Sequence, residues 1–339
     1  MSLNTAWFLL LAFMLAGYAV LDGFDLGIGA IHLLLGRDRA ERQRLIDTIG
    51  PVWNGNEVWL LGVGGALVAA FPTLYAASFS GFYLALMLVL WLLLLRGIGI
   101  EFRHQIHHAL WEDFWDVVFS IASVLLALLF GVALGNVLRG VPFEANGEFR
   151  GTFAVLLNGF SILGGMLGVA TLAMHGACWA ALKTDGALQA RARRFASTLW
   201  WVSLALLAAM VAASFLVRPD FTRNFTAHVW PAMIPLLTLA AMAGVRLFIG
   251  RDDLRAFLCS SGYVAGILAS VAAGLYPILL PAAPGSASPG LDIYNAAAPR
   301  SSLFYAFVIY LAGLAIVTAY LVHIYRVWRG KSQPVYHLD

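Results

Sequence analysis

The sequence predicts an all-α integral membrane protein with nine transmembrane helices, and three observations carry that expectation. Of 339 residues, 61% are hydrophobic and 12% are charged, against about 45–50% and about 25% in soluble domains. The mean hydropathy is +0.83. Apolar runs of about 20 residues, enough to cross a bilayer core, recur from end to end. Within lipid a backbone must satisfy its own hydrogen bonds, which leaves helices or a closed barrel, and long unbroken runs select helices. The formal net charge of +3 is what basic residues placed for topology produce and gives no reason to invoke nucleic acid. Cys178 and Cys259 lie far apart with no Cys-x-x-Cys pair, so neither a disulfide framework nor a zinc site is indicated.

The first span, 7–35, has no preceding Lys or Arg and no small-residue cleavage site, and is expected to persist rather than be removed as a signal. Gly17, Gly23, Gly27 and Gly29 stud it and admit the backbone of a neighbouring helix. The second and third spans, 55–77 and 79–95, meet at an uncharged turn around Phe71-Pro72 and Ala76-Ala77-Ser78, where a re-entrant pair is the competing reading. Spans 114–138, 152–182, 197–217, 229–249, 261–281 and 302–325 follow from apolar stretches between charged or Pro/Gly-rich breaks. The segment 281–290 reads as a spacer, and no connection is long enough for a soluble domain. Chemistry must therefore sit within the membrane or be shared with a partner.

Charge orients the chain. Segments after the odd-numbered spans hold all the Lys and Arg except Arg139, Arg150, Arg218, Arg223 and Arg300, out of 21. Positive charge accumulates on the cytoplasmic side, which predicts the N-terminus outside and the C-terminus inside.

Polar groups at membrane depth are costly, about 2.5–3.5 kcal/mol for a carboxylate on insertion scales, and so point to sites. Asp22 and Asp25 share one face of the first span, continued by Gly29 and His32. A proton path or ion site is the functional reading; a hydrogen-bonded cluster locking two helices together is the alternative. In Gly50-Pro51-Val52-Trp53-Asn54-Gly55-Asn56-Glu57-Val58-Trp59, three hydrogen-bonding side chains, Asn54, Asn56 and Glu57, fall within one turn at the inner mouth of the second span. That placement suits a proton entrance, although Pro51 at a helix start, a Glu near a helix N-terminus and interfacial Trp residues also have ordinary structural reasons. His175 and Cys178, three apart, could hold a metal or haem, but a histidine bonded to a neighbouring helix is the stronger reading. The other histidines fall in loops or near span ends, so no bis-histidine haem site and no metal site is expected in this chain. Arg96, Glu101, Arg103, Glu112, Asp113 and Asp116 read as a solvated or subunit-contacting connector without chemistry.

An ordered set of motifs carries a resemblance. Gly17-Tyr18-Ala19-Val20-Leu21-Asp22-Gly23-Phe24-Asp25-Leu26-Gly27, the segment Gly50–Leu60, Gly64-Gly65-Ala66-Leu67 to Phe71-Pro72, Phe79-Ser80-Gly81-Phe82-Tyr83, Arg96-Gly97, Glu101-Phe102-Arg103, Gly135-Asn136, Gly140-Val141-Pro142-Phe143 and His175-Gly176-Ala177 together resemble subunit II of the cytochrome bd-type quinol oxidases, including the cyanide-insensitive branch. The resemblance covers the chain and its span count. It implies two four-helix bundles, 1–138 and 139–281, then 282–339 with an outer loop, a peripheral ninth helix and a cytoplasmic tail, all in one bacterial inner-membrane domain. It implies an oxidoreductase complex that reduces oxygen to water with electrons from quinol. A partner, subunit I, would carry haem b558, haem b595 and haem d, or a haem b in its place. A small single-span accessory subunit and a structural quinone are further family features. By the same resemblance Asp25 matches the proton-path carboxylate and Trp59 a residue lining an oxygen route. The family commonly has Asp where this chain has Asn54; an amide cannot titrate, so either Glu57 on the same helical face replaces it, or the route uses Asp22 and Asp25 with water, or it runs wholly through subunit I. A Pro usual after Asn158 is also missing, which bears on a helix kink. His32 and His175 are candidate structural or subunit-contact residues. From another class, a proton- or ion-coupled transporter would use the same intramembrane carboxylates.

Overall fold

The structure, a computed structural model, describes residues 2–144, 149, 151–227, 229–286 and 288–332. Arg150 lies outside these, as do His228 and His337, two of the histidines that the sequence puts in loops or near span ends. The first helix, α1 (Leu3–Leu35), is capped by the Ser2 side chain, which accepts from the Thr5 N–H. At 33 residues it is about 50 Å long, more than a hydrocarbon core requires. It is followed by α2 (Arg39–Asp47), α3 (Trp53–Ala70), α4 (Pro72–Gly81), α5 (Tyr83–Phe102) and α6 (Ala109–Arg139). A single turn, α7 (Phe153–Leu156), leads into α8 (Gly159–Lys183), α9 (Gly186–Val217), the short α10 (Arg223–Ala227), α11 (Val229–Phe248) and α12 (Asp253–Leu275). Strands β1 (Ile278–Pro281) and β2 (Gly290–Asp292) pair antiparallel before α13 (Arg300–Val327).

Among the described residues, 8 helices are long and apolar enough to cross a membrane: α1, α5, α6, α8, α9, α11, α12 and α13. The expected second span is less apolar and is broken. Pro72 has no N–H to continue the ladder, so the chain bends at Phe71 between α3 and α4 and again at Phe82 before α5. The expected span 152–182 starts later, at Gly159, because Asn158 turns its side chain onto the Ser161 N–H and caps α8. The span expected to run to 281 ends at Leu275, since Pro277 cannot extend the helix, and the apolar residues that follow form β1 instead. The spacer at 281–290 thus contributes its two ends to a hairpin.

Helix α8 occupies the centre, packed on α1, α6, α9 and α12; α11 pairs with α12, α5 with α6, and α3 with α1. Two glycines allow the α1–α8 approach. A Cβ on Gly27 would stand 2.0 Å from the Leu172 carbonyl oxygen, and one on Gly176 would stand 2.3 Å from the Gly27 carbonyl carbon. Backbone cannot yield as a side-chain tip can, so Gly176→Ala is expected to destabilise the protein by at least about 1–3 kcal/mol, the cost of overpacking. A lowered midpoint of thermal inactivation in the purified protein is the check; an unchanged midpoint would contradict the contact.

Charged side chains gather at one end of the bundle, called the basic end here. There Arg191 of α9 reaches Glu41 of α2, Arg44 meets Asp185 at 2.5 Å, and Arg193 meets Asp253 at 2.7 Å. The Arg191 guanidinium holds the Glu41 carboxyl below its ordinary range. A depressed folded pKa contributes stability above the unfolded value, about 4.3 for Glu, and that contribution disappears as pH falls through the folded value. Glu41→Gln is therefore expected to lower thermal stability at pH 7 and to make no difference at pH 3; a loss independent of pH would refute the pairing. The opposite end is tied by Asn4 to the Ile293 carbonyl, Trp7 to the Leu303 carbonyl at 3.0 Å, and Val141 to Pro281.

Candidate functional site

Asp22 and Asp25 lie three residues apart on α1, and both are fully buried. Arg96, on the last turns of α5, is also fully buried, and its Nη1 meets Asp22 Oδ1 at 2.6 Å. Its Nη2 lies 3.3 Å from Glu57 Oε1 on α3. Glu57 keeps a quarter of its side chain exposed, so this chain of charge runs from the boundary to the middle of α1. Arg96 lies at the head of the connector read as a solvated surface; the structure corrects that reading, because the α5 backbone delivers the guanidinium to the α1 carboxylate.

Asp25 has a different partner. Asn56 donates from Nδ2 to Asp25 Oδ2 at 2.8 Å and to the Leu21 carbonyl at 3.0 Å. The Asn56 Oδ1 accepts from the Tyr325 hydroxyl of α13 at 2.9 Å. The amide is thereby oriented by three bonds, and Asp25 is the carboxyl of the pair whose hydrogen-bond partner is an amide rather than a cation. Asp25 Oδ1, Asp22 Oδ2 and the Tyr18 hydroxyl are buried without a hydrogen-bond partner among the described residues. Three orphaned oxygens around two carboxyls make a polar site suited to ordered water. Asn54 lies on the exposed side of α3, away from the carboxylates. The helical repeat explains the difference: Asn56 falls on the buried face and Asn54 does not. Tyr325 was missed altogether, as one tyrosine near a helix end carries no signal in the sequence.

His32, two helical turns further along the same α1 face, donates from Nε2 to Asp116 Oδ1, 2.7 Å away, and both residues are fully buried. Arg103 Nε reaches the same Asp116 oxygen at 2.6 Å, and Arg42 Nη1 approaches the other at 3.4 Å. This second cluster also overturns the connector reading for Arg103 and Asp116, which are core-forming, whereas Asp113 stays at the surface with Arg39.

His175 joins three helices. Its Nε2 contacts the Val20 carbonyl of α1 at 3.0 Å, its Nδ1 the Ser260 hydroxyl of α12 at 2.7 Å, and its ring stacks on Phe257 at 5.0 Å. With Nε2–H donated to a carbonyl, Nδ1 faces the Ser260 hydroxyl, whose single proton also reaches the Phe257 carbonyl at 2.7 Å, so both nitrogens are engaged by protein partners. Cys178 is buried one turn away and is not disulfide-bonded. Trp59 is buried, its ring against Gly17 and edge-on to Phe13 at 5.8 Å. Among the described residues no group of three or more His, Cys, Asp or Glu is arranged to hold a metal ion.

Comparisons with known proteins bear on the whole chain. The probable cytochrome oxidase subunit 2 of Haemophilus influenzae is 32% identical over 364 residues, covering 97% of this chain and 95% of that one. The cytochrome bd-I ubiquinol oxidase subunit 2 of Escherichia coli is 42% identical over 210 residues, 61% of this chain and 55% of that one. The cytochrome bd ubiquinol oxidase subunit 2 of Bacillus subtilis is 38% identical over 223 residues, 66% of each chain. A solved structure of bd oxidase from Geobacillus thermodenitrificans shares the fold, with TM-score 0.80 at 18% identity over 97% of this chain and 99% of that one. The model of the family described as cytochrome bd terminal oxidase subunit II matches residues 3–328, a range that contains the buried carboxylates, Arg96 and Tyr325, and the chain belongs to that family.

Proposed function

We propose that this chain, as subunit II of a bd-type quinol oxidase in the bacterial inner membrane, carries protons from the basic end toward a reaction site in a haem-bearing subunit I. One observation bears most of the weight: Asp25 is fully buried, with one oxygen held by Asn56 and the other left unpartnered. A structural carboxylate is normally satisfied on both oxygens, while one that exchanges a proton needs an open position for water.

In this reading Glu57, partly exposed, takes up a proton at the inner boundary, and Arg96 stations Glu57 and Asp22 on either side of its guanidinium. The proton moves through water among Tyr18, Asp22 and Asp25, and Asp25 passes it on. Asn56 turns its donor toward Asp25 and is kept from flipping by Tyr325. Asn54 takes no part, and its amide in place of an acid is no obstacle. The nine-span count, with α3 and α4 together forming the second, and the outside N-terminus fit the concentration of basic residues at one end. A first bundle over 1–138, a second over 139–281 and a peripheral ninth helix within 282–339 complete the proposed organisation. Trp59 faces the apolar contact between α1 and α3 and is the proposed wall of an oxygen route. The reaction's electron chemistry belongs to haems b558, b595 and d, or a haem b in the last place, and we assign these to subunit I because both nitrogens of His175 and the Nε2 of His32 are committed to protein partners.

The test is purification of a tagged chain from its native membrane in mild detergent. Co-elution with a second multi-span chain, haem bands in a reduced-minus-oxidised spectrum and quinol-dependent oxygen uptake are expected. A haem-free, partner-free chain that transports ions would instead favour the rival transporter reading.

A further inference from the structure

At the basic end a cavity of about 190 Å³ opens between the turn joining α2 to α3, the last turn of α8 and the segment following α13. Three cations line it, Lys183, Arg329 and Lys331, against one acid, Asp47. Asp47 Oδ1 already accepts from Gln43 at 2.9 Å. Its floor is aromatic: Trp179 donates from Nε1 to the Thr48 carbonyl at 3.1 Å, and the Lys183 ammonium lies 5.0 Å above the Trp179 ring.

The cations are held in place by backbone. Lys183 Nζ donates to the carbonyls of Trp328 at 2.5 Å and Gly330 at 3.1 Å, using two of its three protons. Lys331 Nζ donates to the carbonyls of Thr184 at 2.6 Å and Leu182 at 3.0 Å, closing the carbonyl end of α8. Neither lysine is neutralised by a carboxylate in these contacts. Arg329 is exposed, and its guanidinium has no hydrogen bond or ion pair among the described residues. Excess positive charge thus converges on a pocket with an aromatic floor, at the point where two membrane helices reach the interface.

We propose that this cavity binds the phosphate headgroup of an anionic phospholipid. Basic pockets between membrane helices at their charged ends recognise such headgroups, and each nearby Lys or Arg adds about 1 kcal/mol. The chemistry recognised is a phosphate ester. The aromatic floor and the position at the helix ends select a lipid over a free anion, because acyl chains can continue along the apolar surface of α13. The occupant would also lie beside Tyr325, which lines the cavity and bonds Asn56, so the headgroup stands one side chain away from the amide that holds Asp25.

The experiment uses the purified complex, delipidated and titrated with phosphatidylglycerol, phosphatidylcholine or inorganic phosphate. Native mass spectrometry counts retained lipid, and a thermal melt reads the titration. Wild type is expected to retain one phosphatidylglycerol that Arg329→Glu loses, and Arg329→Glu should need at least about fivefold more of that lipid for the same rise in melting midpoint, the equivalent of one charge. Arg194→Glu, an exposed basic residue at the same end, should match wild type. Lys183→Gln should weaken retention as Arg329→Glu does. Equal retention by wild type and Arg329→Glu would overturn the proposal. So would an Arg194→Glu loss as large as that of Arg329→Glu, which would make the effect one of general surface charge, or displacement of the lipid by millimolar inorganic phosphate, which would make the cavity a free-anion site.

Discussion

Replacing Arg96 by methionine is expected to remove most of the assembled complex. The guanidinium is fully buried and pairs with an equally buried Asp22 at 2.6 Å. Removing one partner leaves the other as an uncompensated charge in a low-dielectric interior, which costs about 3–5 kcal/mol, a large part of the stability of a typical folded domain. Glu57 would lose the same partner. The measurement is the yield of haem-bearing complex per milligram of membrane, with the midpoint of thermal inactivation for whatever assembles. Asp22→Asn combined with Arg96→Met removes both charges and should recover much of the loss, since pairs replaced together cost far less than pairs broken. An Arg96→Met complex with wild-type yield and midpoint would show that the pair does not hold α1 to α5.

Asp25→Asn should have the opposite profile, with assembly kept and turnover lost. The amide fills the same volume and can rotate its oxygen toward the Asn56 donor, so packing survives. What disappears is a group able to take up and release a proton, and positioned acid–base groups contribute about 10²–10⁴ in rate. Quinol-dependent oxygen uptake is expected to fall about a hundredfold while the reduced-minus-oxidised spectrum keeps its haem bands. Tyr325→Phe frees the Asn56 amide to flip and should lower uptake less, by a few fold. Full uptake in Asp25→Asn would move the proton route out of this chain.

The sequence made the membrane helices, Asp22 and Asp25 legible, because apolar length and a rare intramembrane carboxylate are local signals. It also exposed the helical face that His32 shares with them. The origin of their partners was not legible. Arg96, Arg103 and Asp116 sit in a run of mixed charge that, along the chain, looks like any solvated connector; only the packing of α6 against α1 and of α5 against α6 turns three of its members inward. Asn54 and Asn56 differ by which side of α3 they occupy, and a segment with Gly on both sides of its polar residues shows no clear face from which to choose. Tyr325 is separated from Asn56 by 269 positions, and its role rests on a tertiary contact alone. The spans at 152 and 281 were misjudged for a simpler reason: hydropathy cannot tell an apolar helix from an apolar turn or strand, and Asn158 and Pro277 set those limits.

Helix α13 is fastened in an unusual way. Only 6% of its most apolar stretch is buried, yet bonds made by Trp7, Tyr310 and Tyr325 pin it along its length, and Lys183 holds the segment just beyond its end through two carbonyls. It also follows the other described helices along the chain. The preceding helices can therefore enter the bilayer and pack before it exists, and Asp25 spends that interval with Asn56 unanchored. Arrival of α13 then becomes the event that anchors the Asn56 amide, so a chain released before it would hold the buried Asp25 carboxyl in an unfinished setting.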